Sequence, residues 1–243
     1  MRKEDIRKTG VGVLLSAVFV LFTYSSAVAD TPVFKSNDGK WYGSINAGIA
    51  ILNDIDFSAA ASGGGVTVTA AGAYSFDPGA SFGGALGYVI SDLVRTEIEL
   101  GYQSVEYDKM DLSGSVTYGG STVAYGGEAD LTGDIDALHF LTNVILTPLG
   151  NKTLFGASVT PLVGAGVGFF DYESKITAIG TQTATSEVSN TDLLVSIMAG
   201  LEYASSQQVT WAIKYRHAWA DTGKNGVDDA EADNIVANLK IAF

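Results

Sequence analysis

Along eight stretches of this chain, side chains alternate between two characters with a period of two, and that alternation restricts the chain to sheet. In 41–51, Trp41, Gly43, Ile45, Ala47, Ile49 and Ile51 share one face, and Tyr42, Ser44, Asn46, Gly48 and Ala50 share the other. Successive side chains of a strand point to opposite faces, so this reads as a strand with one apolar face. In 94–103, Val94, Thr96, Ile98, Leu100 and Tyr102 alternate with Arg95, Glu97, Glu99, Gly101 and Gln103. The pattern recurs in 193–203, 209–219 and 235–243, and less cleanly in 80–90, 137–146 and 159–169.

The links between these strands alternate in length. Those after the second, fourth and sixth strands are short. Those after the first, third, fifth and seventh run over roughly 53–78, 106–134, 171–191 and 220–233. Links this long count against a compact soluble domain. They suit an outer-membrane barrel, with short periplasmic turns and long extracellular loops. The uncharged stretch 57–76 reads as a loop, or as a hairpin extending beyond the membrane. A competing reading makes the uncharged run 153–170 a membrane helix, since it meets the length threshold. Pro161, the glycines at 164, 166 and 168, and the period-two pattern favour a strand.

Composition narrows the function classes. The chain has 243 residues, 14 Lys+Arg against 27 Asp+Glu, a net charge of -13 and no Cys. Such acidity argues against a nucleic-acid partner, which needs phosphate neutralisation. The absence of Cys excludes disulfides and thiolate chemistry. Charged residues make up 17%, below the ~25% typical of soluble domains. Residues 1–29 read as a cleaved signal peptide: a basic start, the apolar run Val11–Phe22, and small residues before a cut after Ala29. The barrel domain is then 30–243, and an exported chain with no Cys and no eukaryotic hallmark reads as bacterial.

An outward face apolar along every strand implies lipid, and in lipid an open sheet leaves backbone groups unpaired. The fold class is therefore all-β: a transmembrane, antiparallel, up-and-down β-barrel of eight strands. Such a barrel is just wide enough for its own side chains to fill. The faces opposite lipid carry Arg95, Glu97, Glu99, Glu202, Lys214, Arg216 and Lys240. Buried charges must pair, so these are expected to form a structural salt-bridge network, with Glu202 reaching Lys214 or Arg216 across a short turn. The glycines at 164, 166 and 168 are expected to make room for Arg95 or Arg216. Trp41, Trp211 and Trp219 all fall on the outward face, as an aromatic girdle would place them.

The segments Trp41–Gly48, Arg95–Tyr102, Thr160–Gly168 and Ala199–Tyr203 resemble the OmpA-like and opacity-type outer-membrane β-barrel family. The resemblance covers essentially the whole exported region. It implies eight antiparallel strands in the outer membrane and a role as adhesin, surface antigen, immune-evasion protein or envelope stabiliser. The terminal Asn238–Phe243 resembles the signature recognised by the barrel-assembly machinery, with Phe243 as the signal. The peptidoglycan-binding domain that follows the barrel in some relatives is not expected here. Expected partners are outer-membrane lipid, lipopolysaccharide and the assembly machinery, together with a surface ligand that the sequence does not name. A monomer is expected.

No catalytic, cofactor or metal site is expected. The two histidines, His139 and His217, lack a His-x-Ser pattern that would suit a lipid A hydrolase; Trp219 stands two residues after His217. The glycines at 164–168 open no helix and carry no phosphate-site weight. The acidic stretch 228–233 lacks calcium-loop spacing. A narrow channel for small or hydrophobic solutes is the alternative function. The four long links hold most of the acidic residues, so the expected surface is a set of four acidic loops.

Overall fold

The computed structural model describes residues 40–149, 159–222 and 229–243. The expected signal peptide, residues 150–158 and the centre of the expected fourth long link at 223–228 lie outside the described residues. Nine strands are described: β1 (Trp41–Leu52), β2 (Ile55–Gly63), β3 (Val66–Val89), β4 (Val94–Tyr118), β5 (Ser121–Leu146), β6 (Val159–Ile179), β7 (Gln182–Ala204), β8 (Val209–Ala220) and β9 (Ala230–Ala242). All pairings are antiparallel between neighbours, and β1 pairs with both β9 and β3. That double pairing closes a ring of eight staves, β1 and β3 to β9, which satisfies the backbone groups that lipid cannot.

The ninth strand is a continuation of the first. β1 leaves β9 after Leu52↔Ala232, where the Asn53 N–H donates to the Glu231 carbonyl (2.9 Å), and the chain resumes as β2 along β3 alone. The membrane-helix reading of 153–170 fails over its described part, because Val159–Ile179 is strand. Pro161 sits below Val163↔Leu146, the lowest described pair between β6 and β5, where its missing donor costs little.

The alternation reads directly in the exposure of the staves. On β5, Leu138, Phe140, Val144 and Leu146 are exposed while Ala137, Leu141 and Ile145 are buried. The same holds for Leu193, Val195, Ile197 and Leu201 against Leu194, Ser196, Met198 and Glu202 on β7. The exposed set is the lipid-facing band.

The first three long links are sheet instead of loop. β3, β4 and β5 run 24, 25 and 26 residues, far past the lipid-facing band. Two-residue tips close them at Gly64–Gly65 and Gly119–Gly120, where φ lies between 59° and 83°. Such φ values suit the tight hairpin turn that only glycine enters without strain. Register shifts fall between Asp77 and Ala80 on β3, Glu106 and Lys109 on β4, and Thr132 and Gly133 on β5. These bulges stand where the barrel ends and the projecting sheet begins, and a bulge bends its strand and sharpens the twist there.

Candidate functional site

The lower and middle lumen is filled by ionic groups. Arg95 holds Glu202 with two guanidinium nitrogens, one at 2.8 Å, and Lys240 bonds the same carboxylate. The Tyr42 hydroxyl donates to Glu97 (2.8 Å), and Lys214 Nζ stands 3.5 Å from that carboxylate. Arg216 donates to Glu99 (2.9 Å), as does Asn143 (2.9 Å), and His139 Nε2 lies 3.7 Å away. All seven charged residues are less than a tenth exposed. The pairing differs from the expected one. Glu202 bonds Arg95 and Lys240 across the lumen, while Lys214 and Arg216 reach over to Glu97 and Glu99 on β4. The reason lies in register: Glu202 stands opposite Ala212 on β8, and the β8 cations project across the barrel, where the β4 carboxylates are.

The glycine expectation is also corrected. A side chain at Gly166 would meet Asn143 Oδ1 at 2.1 Å, and one at Gly168 would meet the Phe140 carbonyl at 1.8 Å. These positions admit Asn143 and a close neighbouring strand, not Arg95 or Arg216. The glycines that seat the network are Gly87, where a side chain would run into the Tyr42 ring, and Gly101, where one would meet His139 Nε2 at 2.4 Å. Tyr42, His139 and Asn143 therefore join the network. Sequence reasoning missed Tyr42 and Asn143, although both fall on the inward register.

Above the ions the interior turns apolar. Leu141, Phe170, Leu194, Ala137 and Ala218 form one buried cluster, and Phe76, Val105, Ile135 and Ala50 form another. The cavity between Leu141, Phe170, Leu194 and the His139–Arg216 floor holds about 30 Å³, room for one or two waters. Tyr74 and Tyr107 close the top, with ring centroids 6.0 Å apart, and burial pushes both hydroxyls upward in pKa.

On the outside, Trp41 packs on Tyr88 (5.0 Å between centroids) and Trp211 pairs with Tyr203 at the same end. Trp219 lies toward the opposite end, edge-on to His217 (4.3 Å). His217 Nδ1 bonds Asp233 (2.7 Å), and the Tyr215 hydroxyl donates to the same carboxylate (2.6 Å). The Phe243 N–H donates to the Trp41 carbonyl (3.0 Å), which fastens the last residue to the seam between β9 and β1.

The projecting sheet, β2–β3–β4–β5, has two unlike faces. Rungs run Ala61–Val68–Val116–Val123, Ala59–Ala70–Gly114–Tyr125 and Phe57–Gly72–Leu112–Gly127 on one face, the side continuous with buried Phe76. The other face carries Ser62–Thr67–Thr117–Thr122 and Ala60–Thr69–Ser115–Ala124, laced by hydroxyl bonds of 2.9 to 3.2 Å. Val123 and Tyr118 on the apolar face are 69% and 68% exposed. Water contacts both faces, so the apolar one stands uncovered.

The acidic residues do not cover this sheet. The runs 57–76 and 112–127 carry no charge at all. Asp54, Asp56, Asp77, Glu106, Asp108, Asp111, Glu128 and Asp130 lie at the level of the bulges or one to three rungs above it, as a collar. Lys109 sits in this collar bonded to Glu128, whose hydrogen bond and charge hold the Lys109 ammonium above its usual pKa. In the first two of the four links expected as acidic loops, the charge thus forms an acidic collar below an uncharged sheet.

The chain matches the outer membrane protein β-barrel domain family over residues 14–243. Among curated proteins none matches it. Among solved structures it is similar to Neisserial surface protein A at 14% identity, over 84% of this chain and 97% of that one, with a TM-score of 0.45. It is also similar to the outer membrane protein OprG of Pseudomonas aeruginosa at 14% identity, over 85% and 96%, with a TM-score of 0.43. Ail, the attachment invasion locus protein of Yersinia pestis, solved with the heparin analogue sucrose octasulfate, is 12% identical over 85% and 99%, with a TM-score of 0.44. With the ring of staves, the lipid-facing band and the family match in agreement, the chain belongs to the outer membrane protein β-barrel domain family and resides in the outer membrane.

Proposed function

We propose that this protein is a filled, non-catalytic barrel that works as a surface-interaction protein through its extracellular sheet. The observation that carries the reading is the four-stranded sheet above the acidic collar, with an uncovered apolar face and no charge. Above Asp77, β3 alone rises by roughly 40 Å at ~3.3 Å per residue. A monomer gains nothing from exposing such a face, whereas large exposed apolar patches mark interaction sites. Elements held on a rigid scaffold are where binding commonly resides. The ionic lumen and the small cavity above it favour a filled barrel over a solute channel. His217 is oriented by Asp233, but the residue two places on is Trp219 instead of a hydroxyl, which favours a structural pair at the rim over a hydrolase. Lipopolysaccharide around the band and the assembly machinery at Phe243 are its proposed envelope partners.

The test is to excise 57–72 and 112–127, joining each hairpin with an Asn-Gly turn between the paired residues Asp56 and Ala73, and Asp111 and Glu128. Heat-modifiable gel migration should persist, because the barrel staves keep their pairing below the bulges. Attachment of expressing cells to host cells and matrix should be lost. Full attachment by the excised variant would overturn the reading.

A further inference from the structure

Among the described residues, the two outer edges of the projecting sheet lack neighbours. β2 pairs only with β3, and its other side is open from Ile55 to Gly63. β5 pairs with β6 only from Leu131 downward. The β6–β7 hairpin reaches no higher than Asp130, whose carbonyl accepts the Gly180 N–H (2.7 Å). Residues 121–129 of β5 are therefore a second open edge among the described residues. Sheets normally guard such edges with Lys, Pro or a bulge. Neither 57–63 nor 121–127 contains Lys, Arg or Pro, and no register shift interrupts either run.

We propose that the open edges join copies of this chain side by side in one membrane, the β2 edge of one copy pairing with the β5 edge of the next. Direction selects this arrangement. Copies in one membrane share one orientation, and β2 runs away from the membrane while β5 runs toward it. A β2–β5 joint between copies is therefore antiparallel and continues the sheet with its own hydrogen-bond pattern. A β2–β2 or β5–β5 joint in the same membrane would be parallel, which is slightly weaker per residue.

Chemistry selects it as well. Collars of like charge keep copies apart, and the uncharged runs above them are where two copies can touch without repulsion. On the apolar face β2 presents Ala59, Ala61 and Gly63 beside Phe57, while β5 presents Ser121, Val123 and Tyr125. Tyr125 turns back over Gly114 and donates to the Thr69 carbonyl (2.9 Å), which leaves the β5 backbone bare. The small β2 side chains accept Val123 opposite them. Asp56 and Glu128 limit the joint below, since like charges directly opposite destabilise a pair. Confinement in one plane raises the effective concentration, so a short ladder suffices. The joint is head-to-tail, so it builds rows or a ring instead of a closed dimer. It extends the surface-interaction reading, yet it requires no foreign ligand and stands if no host binding is found.

Because the chain has no cysteine, cross-links report only what is introduced. Chains carrying Ala59→Cys, Ala61→Cys or Gly63→Cys are each co-expressed with a differently tagged Val123→Cys chain, and intact cells are oxidised. One of these apolar-face positions should cross-link to Val123→Cys about tenfold above Ala60→Cys and Ser62→Cys, which point to the other face and fail the geometry of a disulfide. The doubly substituted A61C/V123C chain, or its equivalent at the preferred position, should give a ladder of oligomers. Adding Ser121→Lys to that chain, on the same β5 edge, should abolish the ladder while heat-modifiable migration stays unchanged, which separates a lost joint from a lost fold. Equal yields at all five β2 positions, or cross-linking of Val123→Cys to itself alone, would overturn the proposal. So would cross-links between two cell populations mixed only after expression, since these would place the joint between opposing membranes.

Discussion

Glu202 is where the lumen concentrates its dependence on one side chain. It is 1% exposed and is bonded by both Arg95 and Lys240. A buried ion pair is weak support for stability as a whole, but removing one partner strands the others without counter-charge, at roughly 3–5 kcal/mol. Glu202→Gln leaves two cations facing one neutral amide. The urea midpoint of the folded barrel in detergent should therefore fall by the equivalent of several kcal/mol. Lys109, by contrast, is bonded to Glu128 on the exposed collar, where an ion pair is screened by water and salt; Lys109→Gln should leave the midpoint where it was. The two substitutions together separate the interior network from the collar. Equal shifts would mean that the lumen is wetter than its packing indicates.

At the scale of elements, the eight staves were legible because lipid outside and ions inside give the two faces of each strand opposite chemistry. The projecting hairpins were legible only as one of two alternatives, loop or hairpin over 57–76, and the second not at all, for the same reason. Above the bulges water meets both sides, and in Ala59–Gly65 and Ser113–Gly120 the residues are nearly all Gly, Ala, Ser, Thr and Val, so contrast between faces fades into what looks like loop composition. The contrast is still present: Val68, Val116 and Val123 align on one rung, and Thr67, Thr117 and Thr122 on the next. It appears only once the strands are paired, since single-strand periodicity is blurred by Gly72, Gly114 and Gly127. Hydrogen exchange distinguishes the two descriptions. A loop exchanges every amide of 112–127 quickly. The sheet protects the amides of β4, which has neighbours on both sides, and only alternate amides along the open β5 edge. Uniformly fast exchange across 112–118 would return the segment to loop.

For the whole molecule the question is what closes the barrel, and two layers do so in series: ions low down, apolar side chains and Tyr74 with Tyr107 above. The ionic layer was legible, since the inward register names all seven charged residues. Their partners were not, because adjacency along the chain favoured Glu202 with the β8 cations, while the curvature of a closed ring brings β8 across to β4. That geometry allows the filled state to be tested without unfolding the protein. An eight-stranded barrel is filled by its own side chains and not by a separate plug, so shortening the right pair should open it. Glu99→Ala alone strands Arg216, and Arg216→Ala alone strands Glu99. Removing both together deletes a complete buried pair, which costs far less than breaking one. The wild type should show no steady conductance in planar bilayers. The double variant should show small, sustained steps only if Leu141, Phe170 and Leu194 are trimmed to alanine as well, because the apolar layer still stands above the vacated pair. Steady steps in the wild type would mean that the lumen is a channel, whereas steps in the double variant without trimming would make the ions the sole barrier.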